Sequence, residues 1–218
     1  MVNYAEYAAL TLRYLVATST SGRVECFLKA LGDASAAAGV QGDKGQTALS
    51  LACSAGQLGV VRSLCETQPS LIHVNDKDNC SPFFFACYEG HLEVARFLLS
   101  RDASLIHVKT NSNRSPLWAA CRQGHLEVAR FLLSCDASLI HVKTNIKSKL
   151  TARGQGCKDR HGNRSPLYVA CFQGHLEVVR YLVSLDVLTE EERAEGLAEA
   201  REKGHTDVVA LLESIVTS

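Results

Sequence analysis

A glycine recurs along this chain at a fixed interval, and this recurrence limits the possible folds more than any other feature. The first four copies stand 34 residues apart, and two more follow at spacings of 50 and 30 residues. A period in the thirties is typical of stacked supersecondary units, because each unit must present the same apolar face to its neighbour. The chain is therefore predicted to be an array of repeats. Its register glycines are Gly22, Gly56, Gly90, Gly124, Gly174 and Gly204.

Each unit carries signals for two helices on either side of the glycine. Ser81, Ser115 and Ser165 are each followed by proline, which places a capping hydroxyl directly before the first helical position. Apolar residues then recur at i, i+3 and i+4 up to the glycine, and a second apolar stripe follows it. The segment 102–113, which leads from one unit to the next, is predicted to be extended and polar.

The copies are similar enough to indicate a family. Residues 80–113 read CSPFFFACYEGHLEVARFLLSRDASLIHVKTNSN, and residues 114–145 read RSPLWAACRQGHLEVARFLLSCDASLIHVKTN. The front half recurs in residues 164–183, and residues 45–79 are a weaker copy. The pattern resembles the ankyrin repeat, in which T-P-L-H-x-A is followed by G-H-L-E-V-V-x-L-L-L. The resemblance implies an all-α ankyrin-repeat solenoid of stacked helix-turn-helix units with extended inter-repeat turns.

The resemblance and the glycine register together divide the chain into six units of a single domain. Both ends match the pattern only in outline and are predicted to be polar capping units, the last of which opens with a capping box of Thr189 and Glu192. No linker rich in Pro, Gly or Ser separates two halves. Within the domain at 1–218, the units are an N-terminal cap at 1–44, repeats at 45–79, 80–113, 114–163 and 164–188, and a C-terminal cap at 189–218.

The repeat at 114–163 carries a basic insertion at about 146–161. Lys and Arg number 23 in the chain, as do Asp and Glu, but this balance is uneven along the sequence. From Lys143 to Arg164 seven cations stand against Asp159 alone, whereas residues 189–218 hold eight acids and three bases. Surface turns tolerate solvated insertions at little cost, so the insertion is either a neutral loop or an extended binding surface for an acidic partner or for nucleic acid.

The sequence indicates an intracellular protein, cytoplasmic or nuclear, with no membrane association. Its apolar runs are too short to cross a bilayer, and no charged leader with an apolar core opens the chain. Four of the nine cysteines stand three residues before a register glycine, on an apolar helix stripe. Cys in such a place acts as a small buried hydrophobe rather than a disulfide partner. These cysteines are Cys53, Cys87, Cys121 and Cys171.

Catalytic chemistry has little support in the sequence. A catalytic histidine is normally singular, whereas the histidines here are mostly copies of two repeat positions, one after the glycine and one between units. Cys and His recur four residues apart, but zinc needs about four converging ligands and these pairs would be strung along the stack. Cys157 and His161, both in the insertion, make only a weak metal pair. We therefore predict no enzymatic activity, no cofactor and no metal.

A binding function follows from the resemblance. Ankyrin repeats bind other proteins through the tips of the turns and the exposed side of the first helix, which line a concave groove. The equivalent positions of this chain vary from unit to unit while the surrounding frame stays constant. Arg114, Arg122 and Arg164 flank the insertion and predict a positive face, since arginine can bind a carboxylate through two parallel hydrogen bonds. The expected partner is an acidic segment of another protein, with nucleic acid or an anionic surface as the alternative.

One position departs from the family pattern in every repeat. The histidine of T-P-L-H ties neighbouring turns together in the family, and its absence here removes part of that hydrogen bonding. The aromatic replacements either pack against the next unit or anchor a ligand, and with Tyr88 and Glu89 they could surround a cationic side chain. The four replacements are Ser50, Phe84, Trp118 and Tyr168.

The predicted partner-binding set combines the varied repeat positions, two of the aromatic replacements and the cations of the insertion. The protein is expected to be monomeric by itself. The set consists of Gln46, Tyr88, Glu89, Arg114, Trp118, Arg122, Gln123, Lys147, Lys149, Arg153, Lys158, Arg160, Arg164, Tyr168, Phe172 and Gln173.

Overall fold

A computed structural model describes residues 41–42, 44–144 and 164–216. These residues form ten α-helices and three short 3-10 helices, and none of them lies in a β-strand. The predicted all-α fold of helix-turn-helix repeats is thereby confirmed. The helices are α1 (Ala48–Ser54), α2 (Leu58–Thr67), α3 (Pro82–Tyr88), α4 (Leu92–Arg101), α5 (Pro116–Gln123), α6 (Leu126–Cys135), α7 (Pro166–Gln173), α8 (Leu176–Ser184), α9 (Glu190–Lys203) and α10 (Thr206–Val216).

The first helix of each repeat begins as the sequence predicts. Ser115 Oγ accepts a hydrogen bond from the backbone N–H of Trp118 at 3.1 Å, and Ser81 and Ser165 cap α3 and α7 in the same way. Proline occupies the first turn of all three helices. In α1 the cap is Thr47. Each such cap stabilises its helix by about 1 kcal/mol.

Left-handed backbone ends the first helix of each repeat and directs the chain into the second. Gly124 has a φ of +79° and Gly174 a φ of +75°, a conformation that residues with a Cβ rarely adopt. The second helix of the repeat starts two residues after each of these glycines, at Leu126 and Leu176. The recurrence of glycine in the sequence therefore has a conformational cause.

The segment between repeats differs from its prediction. Ala103–His107 forms a 3-10 helix, as do its counterparts in two other repeats. Asp102 Oδ1 starts this turn by accepting a hydrogen bond from the backbone N–H of Ser104 at 2.8 Å. Leu105 and Ile106 are buried, and the turn packs against α4. The expectation of an extended, polar segment was wrong for its first half, because the tight turn buries this apolar pair.

The chain divides into two compact units after Thr110. In the first unit α1 packs on α3 and α2 on α4, around a core that includes Leu64 and Phe83. In the second unit α5, α7 and α9 form one layer and α6, α8 and α10 the other, with Leu117 and Leu132 among the buried residues. Each unit thus places first helices in one layer and second helices in another.

The C-terminal cap opens with the predicted capping box. Thr189 Oγ1 accepts from the N–H of Glu192 at 3.2 Å, and Glu192 Oε2 accepts from the N–H of Thr189 at 3.1 Å. Gly196 is buried where α9 meets α7, and a Cβ there would lie 3.0 Å from Cys171 Sγ. No described helix is both long and apolar enough to span a bilayer. The single-domain organisation stays a prediction, and the N-terminal cap at 1–44 lies mostly outside the described residues.

Candidate protein-binding surface

Most of the predicted partner-binding residues of the second unit lie on the first helices and the turns that precede them. Helices α5 and α7 pack side by side, and the varied positions at their ends are partly exposed. We call this region the first-helix surface of the second unit. It consists of Arg114, Arg122, Gln123, Phe172 and Gln173.

Two arginines lie against one buried tryptophan on this surface. The guanidinium of Arg114 is 4.8 Å from the centre of the Trp118 ring, and that of Arg122 is 5.4 Å away. The indole is only 1% exposed, so it forms a floor rather than a contact surface. A guanidinium that stacks on a ring by its face keeps the N–H groups on its edge directed outward. The two guanidiniums therefore concentrate positive charge over one buried ring.

A second cation–aromatic group follows on α7. Arg164 lies 5.2 Å from the Tyr168 ring and 5.6 Å from the Phe172 ring, and Lys203 lies 4.9 Å from the same Phe172 ring. The hydroxyl of Tyr168 donates to Glu199 Oε2 at 2.6 Å, which links α7 to α9. The half-buried Phe172 thus lies close to two cations of this chain. Lys203 and Glu199, both in the C-terminal cap, connect this group to α9.

The first helices of the first unit have a different chemistry. Phe84 is buried, and its ring stacks on Tyr88 at 6.2 Å and meets Phe85 edge-on at 6.4 Å. Gln46 is half-buried in the turn before α1, and Glu89 is exposed after α3. This face is aromatic and carries an acid, whereas the first-helix surface of the second unit is cationic.

Burial divides the predicted partner-binding set. Trp118, Arg164 and Tyr168 are 1%, 5% and 7% exposed, which removes them from the residues that we propose to touch a partner. Their burial agrees with the packing alternative for the aromatic replacements. It argues against an aromatic cage for a ligand cation, because arginines of this chain already lie over both rings. Five members of the insertion lie outside the described residues and stay predictions: Lys147, Lys149, Arg153, Lys158 and Arg160.

Two asparagines, missed at the level of sequence, supply the turn-to-turn hydrogen bonds. Asn79 Nδ2 donates to the carbonyl of Lys109 at 2.7 Å, and Asn113 Nδ2 donates to that of Lys143 at 2.8 Å. Both asparagines adopt positive φ, +60° and +59°, which asparagine tolerates better than most residues. The signal was present, because Asn recurs two residues before each Ser-Pro pair, at 79, 113 and 163. These bonds join neighbouring turns, which is the role that the family resemblance assigns to the absent T-P-L-H histidine.

The histidines that follow the glycines join one repeat to the one before it. His91 Nε2 lies 2.9 Å from the carbonyl oxygen of Ser54, and His175 and His205 make the equivalent bond at 3.0 and 3.1 Å. A carbonyl oxygen only accepts, so Nε2 carries the proton in each ring. The structural role predicted for these histidines is confirmed.

Two members of the other histidine set contact carboxylates of a later unit. His73 Nε2 lies 3.4 Å from Asp102 Oδ2, and His141 Nδ1 lies 3.4 Å from Glu192 Oε2. Hydrogen bonds from the backbone and side chain of Ser104, with the nearby His73, hold the pKa of Asp102 below its usual value. In both contacts the ring of one unit lies beside a carboxylate of a later unit, so they join separate parts of the stack.

The repeated cysteines are unsuited to chemistry. Burial raises the pKa of Cys171 to about 12 and raises those of Cys53, Cys87 and Cys121 well above the ordinary value. A protonated thiol is a poor nucleophile and a poor metal ligand. Within the described ranges, no group of three or more His, Cys, Asp or Glu side chains could hold a metal ion.

Comparison with models of known protein families identifies the family of this chain. A model described as ankyrin repeats (3 copies) matches residues 14–110 and 72–144, and one described as ankyrin repeat matches residues 162–188. Since these matches cover more than half of its length, the chain belongs to the ankyrin-repeat family. Ankyrin repeats are generally protein–protein interaction modules. A search of curated proteins found no match to this chain.

Proposed function

We propose that this protein is a non-catalytic adaptor that binds an acidic segment of a partner protein through the first-helix surface of the second unit. The observation that supports the proposal is the pair of arginines, Arg114 and Arg122, laid over the buried Trp118 ring. Two cations that share one rigid floor offer two adjacent sites for carboxylates. Gln123 and Gln173 supply neutral donors and acceptors beside them.

The packing of this surface favours binding at low entropic cost. Helices α5 and α7 are both capped, and the rings of Trp118 and Tyr168 are buried. Stacking on these rings restricts the guanidiniums before a partner arrives, so less side-chain freedom is lost on association. Charge-assisted bonds from arginine to carboxylate are roughly twice as strong as neutral hydrogen bonds. An extended segment with several Asp or Glu residues fits these features best.

A fluorescence titration tests this function directly. The chain has one tryptophan, so its emission reports on Trp118 alone. We expect a capped ten-residue peptide of alternating Glu and Ser to change that emission in a saturable way. Replacing both Arg114→Gln and Arg122→Gln should weaken the binding at least about tenfold, since each lost charge-assisted bond is worth about 1.5–3 kcal/mol.

The matched control is Arg180→Gln on the second-helix side of the same unit, which should change the peptide affinity less than about twofold. An unchanged affinity in the double variant would refute the proposed surface. A steep loss of affinity with salt, together with competition by generic RNA or DNA, would favour the nucleic-acid alternative. Deleting residues 147–159 separates a contribution of the insertion from that of the two arginines.

A further inference from the structure

A polar groove opens on the second-helix side of the first unit, away from the first helices. It lies between α2 and α4 and has a volume of about 530 Å³. The guanidiniums of Arg62 and Arg101 lie 4.7 and 5.2 Å from the centre of the Phe97 ring. Two cations from different helices are therefore held against one ring. The groove is lined by Arg62, Glu93, Arg96, Phe97, Ser100 and Arg101.

The charge of this groove is only partly balanced. Arg96 pairs with Glu93 at 3.7 Å. Arg62 and Arg101 form no ion pair with any residue of the described ranges, and both are exposed. Ser100 is already engaged, because its hydroxyl donates to the Phe97 carbonyl at 2.6 Å. Two guanidiniums with unused donors thus face an open cavity.

The sequence shows why the second helices of the second unit lack this feature. There Arg130 and Arg180 each follow a glutamate by three residues and pair with it at 4.0 and 3.7 Å. Arg62 has Gly59 at that position instead, and no ion pair joins it to Glu66, the acid four residues later in α2. The residue equivalent to Arg101 is Cys135 at the end of α6 and Leu185 just after α8. The groove is a local exception to an otherwise charge-paired pattern.

We propose that this groove binds a phosphorylated serine or threonine side chain of a protein partner. A phosphate monoester carries a charge of about −1.5 to −2 and three acceptor oxygens, which matches two unpaired guanidiniums with Arg96 beside them. A single carboxylate would neutralise only one of the two. This surface goes beyond the acidic-segment site, since it belongs to the other unit and the other helix layer.

Two other phosphate-bearing partners fit the groove less well. Nucleobases bind such sites by stacking on free aromatic faces, whereas the Phe97 ring already carries two guanidiniums. Membrane surfaces are bound with the help of inserted apolar side chains. Among the described residues the large hydrophobic side chain that stands exposed is Val187, in the second unit. A compact phosphorylated side chain remains the best match.

A nuclear magnetic resonance titration with a defined probe tests the proposal. The probe is the capped peptide acetyl-Ala-Ala-phosphoserine-Ala-Ala-amide, added to the full chain while the Nε–Hε signals of its arginines are followed. We expect saturable shifts of the Arg62 and Arg101 signals. The peptide with unphosphorylated serine should cause none, and the peptide with glutamate should bind more weakly. The double variant Arg62→Gln and Arg101→Gln should lose at least about tenfold in affinity.

Three variants keep the outcome interpretable. Arg180→Gln should change the affinity less than about twofold, because that arginine has its own glutamate. Arg62→Lys with Arg101→Lys keeps the charge but loses the planar fork, so an intermediate affinity is expected. The single variant Arg101→Gln, with a melting curve, guards against loss of the fold in the double variant.

Four results would overturn the proposal. Absence of shifts at millimolar phosphopeptide would do so, as would equal losses in Arg180→Gln and in the double variant. Binding to phosphatidylcholine vesicles with one-fifth phosphatidic acid, dependent on Arg62 and Arg101 and without phosphopeptide binding, would assign the groove to a membrane. Stronger binding of a ten-nucleotide thymidine strand than of the phosphopeptide would assign it to nucleic acid.

Discussion

The two compact units share one frame but carry their pairs of ring-stacked arginines on different sets of helices. In the first unit Arg62 and Arg101 lie on the second-helix side. In the second unit Arg114 and Arg122 lie on the first-helix side, over Trp118. On the second helices of the second unit, Arg130 and Arg180 pair with glutamates of their own helices. Each unit therefore carries a cationic surface, formed by second helices in the first unit and by first helices in the second.

The second helices of two successive repeats are nearly identical in sequence. Residues 92–100 and 126–134 have the same sequence, LEVARFLLS, and only the next residue changes from Arg101 to Cys135. The first helices differ more, since Leu117, Trp118 and Ala119 replace three phenylalanines. The two positions before the glycine are Tyr-Glu in one repeat and Arg-Gln in the next. Surface chemistry can thus vary without any change in the caps, glycines or buried cysteines. The following variants test how independent the frame and the surfaces are.

The largest effect is expected from the buried rings beneath the two first-helix faces. Trp118→Ala and Phe84→Ala should each lower the free energy of unfolding by about 3–5 kcal/mol, because each removes a large side chain that is at most 6% exposed. Only Trp118→Ala should also weaken binding of the glutamate peptide. Urea denaturation followed by circular dichroism, and calorimetric titration of the peptide, measure the two properties. A loss below about 1 kcal/mol for either variant would contradict the core role of that ring.

Glycine variants test whether both units depend on the same glycine–histidine contact between repeats. Gly56→Ala and Gly174→Ala should each lower the free energy of unfolding by about 2–4 kcal/mol, since both have positive φ and a new Cβ would lie 2.5 Å from Nδ1 of His91 or His205. Gly204 is the control, because its φ is +76° but nothing lies within 4 Å of the added Cβ. Gly204→Ala should therefore lose only about 1 kcal/mol. Equal losses at the three positions would show that the histidine contact is unimportant.

The asparagine ties should matter equally in the two units. Asn113→Ala removes the bond to Lys143, and Asn79→Ala removes the bond to Lys109 together with one that Asn79 accepts from Asn75. Both place alanine at positive φ, so we expect losses of about 1–3 kcal/mol in unfolding free energy. Asn79→Gly keeps the backbone conformation and loses only the hydrogen bonds, so it should lose less than Asn79→Ala. Urea denaturation measures both. A clearly larger loss in one unit would mean that the turns are not equivalent.

The smallest effect is expected at the exposed ion pairs of the second helices. Arg180→Gln breaks a contact of 3.7 Å to Glu177, and both side chains are more than half exposed. The free energy of unfolding should change by less than about 0.5 kcal/mol. This near-neutrality qualifies the variant as the control for both binding surfaces. A loss above about 1 kcal/mol would disqualify it and point to a structural contact.

The predictable parts of this fold were those with local causes. Ser115 and the proline after it start a helix through bonds within four residues, and Gly124 ends it through its own φ. Cys121 was predicted to be buried because its spacing placed it on an apolar stripe. These signals need no knowledge of distant residues, which is why sequence reasoning recovered the helices and their order.

The parts that sequence reasoning missed depend on neighbours far along the chain. Asn79 owes its role to a carbonyl 30 residues away, and Arg164 is buried because rings and the Thr144 turn surround it. The 3-10 helix at Ala103–His107 is different, since its Asp cap and Leu-Ile pair were visible locally. Trp118, Arg164 and Tyr168, which the family resemblance placed on the binding surface, are therefore buried. The groove at Phe97 instead arises where Arg62 and Arg101 depart from the repeat pattern.

The histidine joints have a consequence for engineering. They connect residues 37, 53 and 33 positions apart with nearly the same geometry, so the length of chain between repeats is independent of how the repeats join. The N–H of Thr144 donates to the carbonyl of Arg164 at 3.0 Å, which closes the base of the longest of these connections. A foreign epitope or a sensor peptide grafted between these two residues would therefore have both of its ends anchored by a hydrogen-bonded pair of the fold.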